Sequence, residues 1–437
     1  MAAGVDATRS RLRRRLSAEV AVGAARLWAR ARQILTTDPS SAGDDDRIVD
    51  EAGERELARH AGELKGGLAK VAQLVAYTGR GAPAALRSLW DEAPAVAAAA
   101  IEAVVTEELG RPPRELFASW DPTPLAAASL GQVHAATDHD GRALAVKVQY
   151  PGVAEALADD VRADGFVRRL AGLPLGRALS SDALAAIRAA VVGELDYQRE
   201  ADALERAGAA WAGDPVIRIP AVDRPRSSRR VLTMTRAPGV PLTALAADDP
   251  RLHGEVAAAM VRFAWGSPLV HGFFNADPNP GNYLIEAGPD LRVWFLDFGC
   301  TVELDDALAA ADRGIWHGLL DDDAFAGAER FRMALDRSGL LHRASSLATV
   351  AHRDWERALA APFASVAPFR WDRHYAGELA TATRDVLAAG GLTVPAPLAL
   401  LWRQRMGVAA VLGMLEPATS FRRVLIDTIG TGKRALR

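Results

Sequence analysis

At 437 residues, 49% hydrophobic and 24% charged, the chain is long enough to bury a sizeable core and to form two or three lobes. A formal net charge of −3 gives no overall basic character, so no nucleic-acid partner is expected. A single cysteine, Cys300, excludes an internal disulfide and suits a reducing cytoplasm; with nine histidines it makes no zinc-ligand spacing and reads as a small packing residue.

Residues 8–36 read as a helix, because Leu12, Leu16, Val20, Ala24, Leu27, Ala31 and Ile34 recur at three- and four-residue spacing. Eight arginines lie between Arg9 and Arg32 against one acid, Glu19. Such a basic amphipathic helix either lies on an anionic membrane surface or packs on the core with a solvated charged face, and both readings stay open. No apolar segment follows the N-terminal arginines as a signal peptide would require. A linker, Asp38-Pro-Ser-Ser-Ala-Gly-Asp-Asp-Asp46, comes next. Helices then dominate from about 50 to 110, broken at residues 79–83 and ended at Gly110-Arg-Pro-Pro113.

From residue 120 the pattern turns to strands. Pro124-Leu-Ala-Ala-Ala-Ser-Leu-Gly-Gln-Val-His134 is a candidate phosphate cradle with one glycine. Alanine keeps its N–H donor but resists positive φ, so such a loop must differ in shape from a glycine-rich one. Asp138-His-Asp-Gly141 signals a hairpin turn, and Ala143-Leu-Ala-Val-Lys-Val-Gln-Tyr150 fits the strand after it. Lys147 has apolar neighbours, and an ammonium buried there needs a partner; the alternative is an edge-strand lysine facing water. Glu194 and Glu200 lie in a helical segment, Val191-Val-Gly-Glu-Leu-Asp-Tyr-Gln-Arg-Glu-Ala201. They are six apart and do not share one helical face, so one is expected to meet Lys147 and the other to need its own partner. Arg229-Arg-Val-Leu-Thr-Met-Thr235 reads as a strand leading into a hinge, Ala237-Pro-Gly-Val-Pro241, with Met234 beside an adenine site.

The rest, 242–437, reads as helical apart from one segment. Asp277 and Asn282 fall in a loop rich in proline, Asn275-Ala-Asp-Pro-Asn-Pro-Gly-Asn282. Asp297 opens an Asp-Phe-Gly triplet after the apolar strand Val293-Trp-Phe-Leu296. The order Asp, Asn, Asp-Phe-Gly is that of phosphoryl-transfer sites in protein-kinase-like enzymes. Its chemistry needs hard oxygen ligands for Mg²⁺, which Asn282 and Asp297 can supply, and a carboxylate such as Asp277 to orient or deprotonate an acceptor hydroxyl. Trp265, Trp316, Trp355 and Trp402 read as core. The longest apolar run, Gly407-Val-Ala-Ala-Val-Leu-Gly-Met-Leu415, is nine residues against the ~20 a spanning helix needs, so no transmembrane span is expected.

Taken together these motifs resemble the UbiB/AarF family of atypical kinase-like proteins, associated with quinone biosynthesis. The resemblance is carried by Ala126-Ala-Ala-Ser-Leu-Gly-Gln-Val-His134, Val146-Lys-Val-Gln-Tyr-Pro151, Glu194-Leu-Asp-Tyr-Gln-Arg-Glu200, residues 277–282 and the Asp297 triplet, in order between about residues 55 and 305. It implies that Lys147 pairs with Glu200 and contacts nucleotide phosphates, that Ala126, Ala127, Ala128 and Ser129 line the phosphate loop, that Asn282 and Asp297 bind Mg²⁺, and that Asp277 is the catalytic-loop aspartate. The family's N-terminal Lys-x-Gly-Gln motif matches Lys70-Val-Ala-Gln73, with Ala72 in place of glycine. In the family that lysine reaches the glutamate of the Glu-x-Asp pair, here Glu194 and Asp196, and blocks a protein-substrate groove. Many members have histidine where this chain has Asn275 and Asn279; Asn275 cannot be protonated, so its role must be hydrogen bonding.

The expected fold is α+β and two-lobed: a protein-kinase-like arrangement with a small β-containing N-lobe, a large helical C-lobe and an N-terminal helical extension. The expected division is 1–46 for the basic helix and linker, 47–118 for the extension, 119–240 for the N-lobe and 241–437 for the C-lobe. The expected activity is Mg²⁺-dependent ATPase or small-molecule or lipid phosphotransfer with ATP or ADP as the nucleotide, in a quinone or isoprenoid-lipid setting. The alternative is a pseudokinase that uses nucleotide as a switch; an aminoglycoside- or choline-kinase-like enzyme is a third, disfavoured by Lys70 and the Glu194-x-Asp196 pair. Expected partners are nucleotide and a lipid or quinone precursor, and the expected location is cytoplasmic with peripheral membrane contact.

Overall fold

The computed structural model describes residues 97–128, 130–154, 192–245, 249–340, 350–389 and 396–435. Lys70, Gln73 and Ser129, and the helices expected at 8–36 and 50–96, lie outside the described residues. Helix α1 (Ala98–Leu109) ends at Gly110, whose φ of 74° lets its N–H return to the Thr106 carbonyl. Its buried Ile101, Val104 and Val105 pack against the first sheet, and Arg230 ties Glu107 and Glu108 to that sheet at 2.8 and 2.7 Å.

That sheet is antiparallel: strands β1 (Ser119–Ala127), β2 (Gly131–Thr137) and β3 (Ala143–Gln149), with a fourth strand from farther along the chain beside β3. Irregularities between Trp120 and Ala126 bend β1 away from a regular ladder, as two prolines in the strand require. Gly141, at φ 83°, makes the turn into β3. Between β1 and β2 the chain reverses tightly, with Ala128 and Gly131 exchanging backbone hydrogen bonds at 2.8 and 3.4 Å.

His134 is buried under this hairpin, stacked on Trp120 at 4.7 Å. Its Nδ1 lies 2.9 Å from the Asp121 carbonyl, which can only accept, so Nδ1 carries the proton and Nε2 accepts from Gln132 at 2.9 Å. The ring is neutral, and burial holds its pKa below the usual histidine value. A depressed pKa contributes stability that is present above the unfolded value of about 6.5 and is lost as pH falls through the lower folded value. Amides of β1 and β2 should therefore lose hydrogen-exchange protection on acidification below that range, and His134→Gln should remove the pH dependence. Equal protection of the wild-type hairpin at pH 7 and pH 5 would refute it.

Helix α2 (Tyr197–Trp211) follows. Asp196 caps it by accepting from the Gln198 N–H at 3.0 Å, a short side chain competing well for an orphan donor. The segment around Glu194 is thus not one continuous helix with Glu200, contrary to expectation: Glu194 sits in the turn before the cap and Glu200 in the first helical turn. Tyr197, Glu200, Ala201, Leu204, Ala207 and Trp211 form the buried stripe, at helical spacing, with Glu200 the charged member. Strand β4 (Ile217–Arg218) comes next, then β5 (Val231–Thr235), which pairs with β3 and closes the sheet order β1-β2-β3-β5. Strand β6 (Val240–Pro241) follows the crossover into the second lobe.

Helix α3 (Pro250–Gly266) opens that lobe, capped by Asp249 and ending through a wider turn at residues 267–271. Strands β7 (Phe273–Asn275), β8 (Tyr283–Glu286), β9 (Arg292–Phe295) and β10 (Thr301–Glu303) then form two small sheets, β10-β7 and β4-β9-β8-β6. Strand β4 pairs in parallel with β9, so a piece of chain inside the span expected for the N-lobe joins the second sheet. Helices α4 (Asp306–Leu319), α5 (Ala324–Arg337) and α6 (Val350–Ala360) follow, then β11 (Phe369–Arg370), α7 (Arg373–Ala388), α8 (Ala396–Leu415), β12 (Ala418–Thr419) and α9 (Phe421–Ala435). Their core is aromatic: Trp265, Trp316, Phe363 and Trp371 sit with ring centroids 5.1–6.3 Å apart, mostly edge to face. Trp265, Trp316, Trp355 and Trp402 are all buried, at 9% exposure or less. Among the described residues no helix is long and apolar enough to cross a membrane.

Candidate functional site

The site forms where the first sheet, α2 and the β7–β10 region meet. Lys147 points from β3 into the interior at 8% exposure. Its Nζ donates to both Glu200 oxygens, at 2.8 and 2.9 Å, and to Asp297 Oδ2 at 3.2 Å. It also lies 5.1 Å from the centre of the Tyr197 ring. Burial alone would depress the ammonium's pKa, but the charges of Asp297 and Glu200 outweigh it and hold the value well above normal. Burial pushes Glu200 above the usual carboxylate range against the pull of Lys147. Tyr197 stays protonated for the same reason, removed from water.

Two carboxylates and the Glu194 methylene crowd Gly299: a Cβ there would lie 3.3 Å from Asp297 Oδ1, 3.4 Å from Glu194 Cγ and 3.4 Å from Glu200 Oε2. The Gly299 N–H also donates to Asp297 Oδ1 at 2.9 Å, which sets the carboxylate's rotamer. Glu194 is buried and accepts from the Cys300 thiol at 2.5 Å, so Cys300 has a hydrogen-bonding role beyond packing.

The loop at residues 275–282 is bound to the Asp297 segment by several contacts. Asn275 donates its amide to the Asp297 carbonyl in a short hydrogen bond, and its Oδ1 accepts from the Asp277 N–H at 3.0 Å. One neutral side chain thus ties both aspartates together, the hydrogen-bonding role its chemistry allows. Backbone bonds Ala276 N–H to Cys300 carbonyl, 2.9 Å, and Leu296 N–H to Asn282 carbonyl, 3.0 Å, complete the connection. Asn279 accepts from Gly281 at 2.9 Å and caps the single turn that presents Asn282. The Asn282 amide nitrogen faces the Asp277 carbonyl at 3.4 Å, leaving its carboxamide oxygen as the hard donor. Asn275, Asp277, Asn282 and Asp297 line one cavity, backed by Met260, Phe263 and Phe295.

Among the described residues no cluster of three or more His, Cys, Asp or Glu side chains is arranged to hold a metal. Asn282 and Asp297, which line the same cavity, could supply hard oxygens of the kind Mg²⁺ takes, since that ion keeps waters and phosphate oxygens and needs only one or two protein ligands.

Lys147, Glu200, Asp277, Asn282 and Asp297 are thus in one place. Ala126 and Ala127 belong to strand β1, and Ala128 begins the tight turn, so the alanine stretch is the end of the β1–β2 hairpin. Gly131 follows that turn because a Cβ would meet the Val148 carbonyl oxygen at 2.2 Å. Met234 is buried on β5 opposite Ala145, at the crossover between lobes. Asp196 acts locally as a helix cap. Sequence reading passed over Arg403, whose side chain on α8 reaches the loop from behind, and Gly407, where a Cβ would lie 2.1 Å from Pro278 Cγ. The available signal was a charged pair, Arg403 and Arg405, inside an otherwise apolar helix, since a buried guanidinium always needs a partner.

Residues 88–329 match the family model described as the ABC1 atypical kinase-like domain. A rat protein named "Atypical kinase COQ8B, mitochondrial" is 35% identical over 199 residues, 45% of this chain and 37% of that protein. The chain thus spans little more than a third of that relative's length. The Mycobacterium tuberculosis H37Rv "Uncharacterized protein Rv0647c" is 30% identical over 377 residues, 83% of this chain and 75% of that protein. Among solved structures, "The complex structure of Rv3197-erythromycin from Mycobacterium tuberculosis" aligns at a TM-score of 0.60 and 23% identity, covering 88% of this chain and 98% of that one, which shows a shared fold. With a family match over more than half its length, the chain belongs to the UbiB/AarF family of ABC1 atypical kinase-like proteins, and its fold is the two-lobed α+β protein-kinase-like fold.

Proposed function

We propose that the chain is a Mg²⁺- and nucleotide-dependent atypical kinase or ATPase acting in quinone or isoprenoid-lipid metabolism. The observation that carries it is Lys147 bridging Glu200 at 2.8 Å and Asp297 at 3.2 Å, with Asp277 and Asn282 fastened to the same segment. In this reading Lys147, oriented by Glu200, grips the α/β-phosphates, and the stretch Ala126, Ala127, Ala128 and Ser129 supplies the phosphate loop. Met234 borders the adenine at the crossover. Asn282 and Asp297 hold Mg²⁺, which supplies charge neutralisation at the phosphates when bound. Asp277, positioned by Asn275, orients an acceptor hydroxyl and accepts its proton. Lys70, with Gln73, restricts the acceptor side through the Glu194 and Asp196 segment. The domain division proposed is 47–118 for the extension, 119–240 for the small lobe and 241–437 for the large lobe, after the basic helix and linker of 1–46. Relatives named as COQ8B and UbiB kinases support the setting, and peripheral membrane contact through residues 8–36 belongs to the same proposal.

A second reading, a nucleotide-switched binding module, is favoured by the hairpin: its tip carries alanines where an open phosphate loop would need residues tolerant of positive φ. ATP turnover with Mg²⁺, with and without anionic liposomes, separates the two. Wild type should turn over and Asp297→Asn should not. Nucleotide binding without turnover in both conditions leaves the binding-module reading; equal turnover in Asp297→Asn refutes the site.

A further inference from the structure

Helix α8 is apolar along most of its length, with Arg403, Gln404 and Arg405 consecutive in its middle. Two positions apart on a helix is about 200° around its axis, so the two arginines point to opposite sides. Arg405 points into the aromatic core. It makes two bonds to Asp312 at 2.7 Å, both residues 1% exposed, and lies 5.0 Å from the Trp316 ring centre. Its charge is matched by a bidentate carboxylate.

Arg403 is placed differently. Its Nη1 donates to the Ala276 carbonyl at 2.6 Å. Its Nη2 stands 3.7 Å from Asp277 Oδ1, with the two side chains only 6% and 7% exposed. Nη2 and Nε have no hydrogen-bond partner among the described residues. One backbone hydrogen bond and a charge contact at 3.7 Å are a thin return for desolvating a guanidinium, so stability is a weak reason for an arginine there. What Arg403 does supply is a cation beside the aspartate. The loop Asn275-Ala-Asp-Pro-Asn-Pro-Gly-Asn282 contains no lysine or arginine, while phosphoryl transfer depends on charged groups held in fixed positions. Gly407, one turn beyond Arg403 on the same face of α8, makes the approach possible: without a side chain there, the helix backbone comes down onto Pro278.

We infer that Arg403 is a positioning residue for Asp277. Its Nη1 fixes the Ala276–Asp277 peptide, and the Nη2 end fixes the direction of the Asp277 carboxylate by charge, so that the carboxylate faces the acceptor hydroxyl. This inference rests on the phosphoryl-transfer reading above.

The test is ATP turnover by the full chain in wild type, Arg403→Met, Arg403→Lys and Asp277→Asn, with MgADP affinity titrated separately. Arg403→Met should bind MgADP as wild type does and lose about 10- to 100-fold in kcat, the scale of a misplaced catalytic group, with little change in KM. Arg403→Lys keeps the charge and one donor, so part of kcat should return. Wild-type kcat in Arg403→Met, or a loss confined to KM or matched by weaker MgADP binding, makes Arg403 a packing residue and overturns the inference alone. Should Arg403→Met not fold, Arg403→Gln, with a neutral amide for the Ala276 carbonyl, carries the same expectation and the same refutation. Wild-type turnover no higher than that of Asp277→Asn overturns the phosphoryl-transfer reading, and this inference with it.

Discussion

Replacing Lys147 by methionine is expected to reduce ATP turnover by about 100-fold or more, the scale for removing a group that stabilises developing charge. It should also destabilise the fold. Lys147 is 8% exposed and is the cation between Glu200 and Asp297. Methionine fills much of its volume but leaves two carboxylates facing each other, and breaking a buried pair in this way costs about 3–5 kcal/mol. Part of that loss is avoided if Glu200 takes up a proton, which its burial already favours. The sign of the pH dependence follows. A carboxylate whose folded pKa is raised contributes stability below its unfolded value, near 4.5, and loses it as pH rises through the folded value. The Lys147→Met variant should therefore be more stable at pH 5 than at pH 8. The double variant Lys147→Met/Glu200→Gln removes one stranded charge, so its urea midpoint should return toward wild type while turnover stays lost. A double variant no more stable than the single one would show that the pair is not an electrostatic unit. Undiminished turnover in Lys147→Met would remove Lys147 from the site.

The second large effect belongs to the core of the large lobe. Asp312→Ala should cost about 3–5 kcal/mol, because it strands the Arg405 guanidinium at 1% exposure between Trp265 and Trp316. Cation–π contact with the indoles offsets only about 1–2 kcal/mol of such a charge. An apolar replacement of both partners, Arg405→Met/Asp312→Leu, removes the desolvated charges together and should be near neutral in the denaturation midpoint. A loss under about 1 kcal/mol in Asp312→Ala would mean that water reaches Arg405 and that the aromatic core is looser than its packing indicates.

Much of the site was legible because phosphoryl-transfer chemistry constrains residue type and order. An apolar strand with one lysine, a loop with two prolines between Asp277 and Asn282, and an Asp-Phe-Gly after a second apolar strand each carry a local signal. The pairing of Lys147 with Glu200 rather than Glu194 was harder to read. It depends on where the helix begins, and that is decided by the Asp196 cap, which places Glu194 in the turn before α2 and Glu200 in its buried stripe. The parallel pairing of β4 with β9 had no signal at all. Two residues, Ile217 and Arg218, are too short for a periodicity, and only the neighbouring strand makes them one.

By itself the sequence determined which chemical groups are present and in what order, along with the strands and turns that carry Lys147 and Asp297, because hydrophobic period and turn residues act locally. The tertiary structure decided which groups meet. Asn275 joining Asp277 to Asp297, Cys300 donating to Glu194, and Arg403 reaching the loop from 126 positions beyond Asp277 are all long-range contacts. Each depends on packing that brings distant segments within hydrogen-bond or charge range, as Gly407 does by letting α8 approach Pro278. Local pattern cannot encode such contacts, because their energy exists only once both partners are buried together.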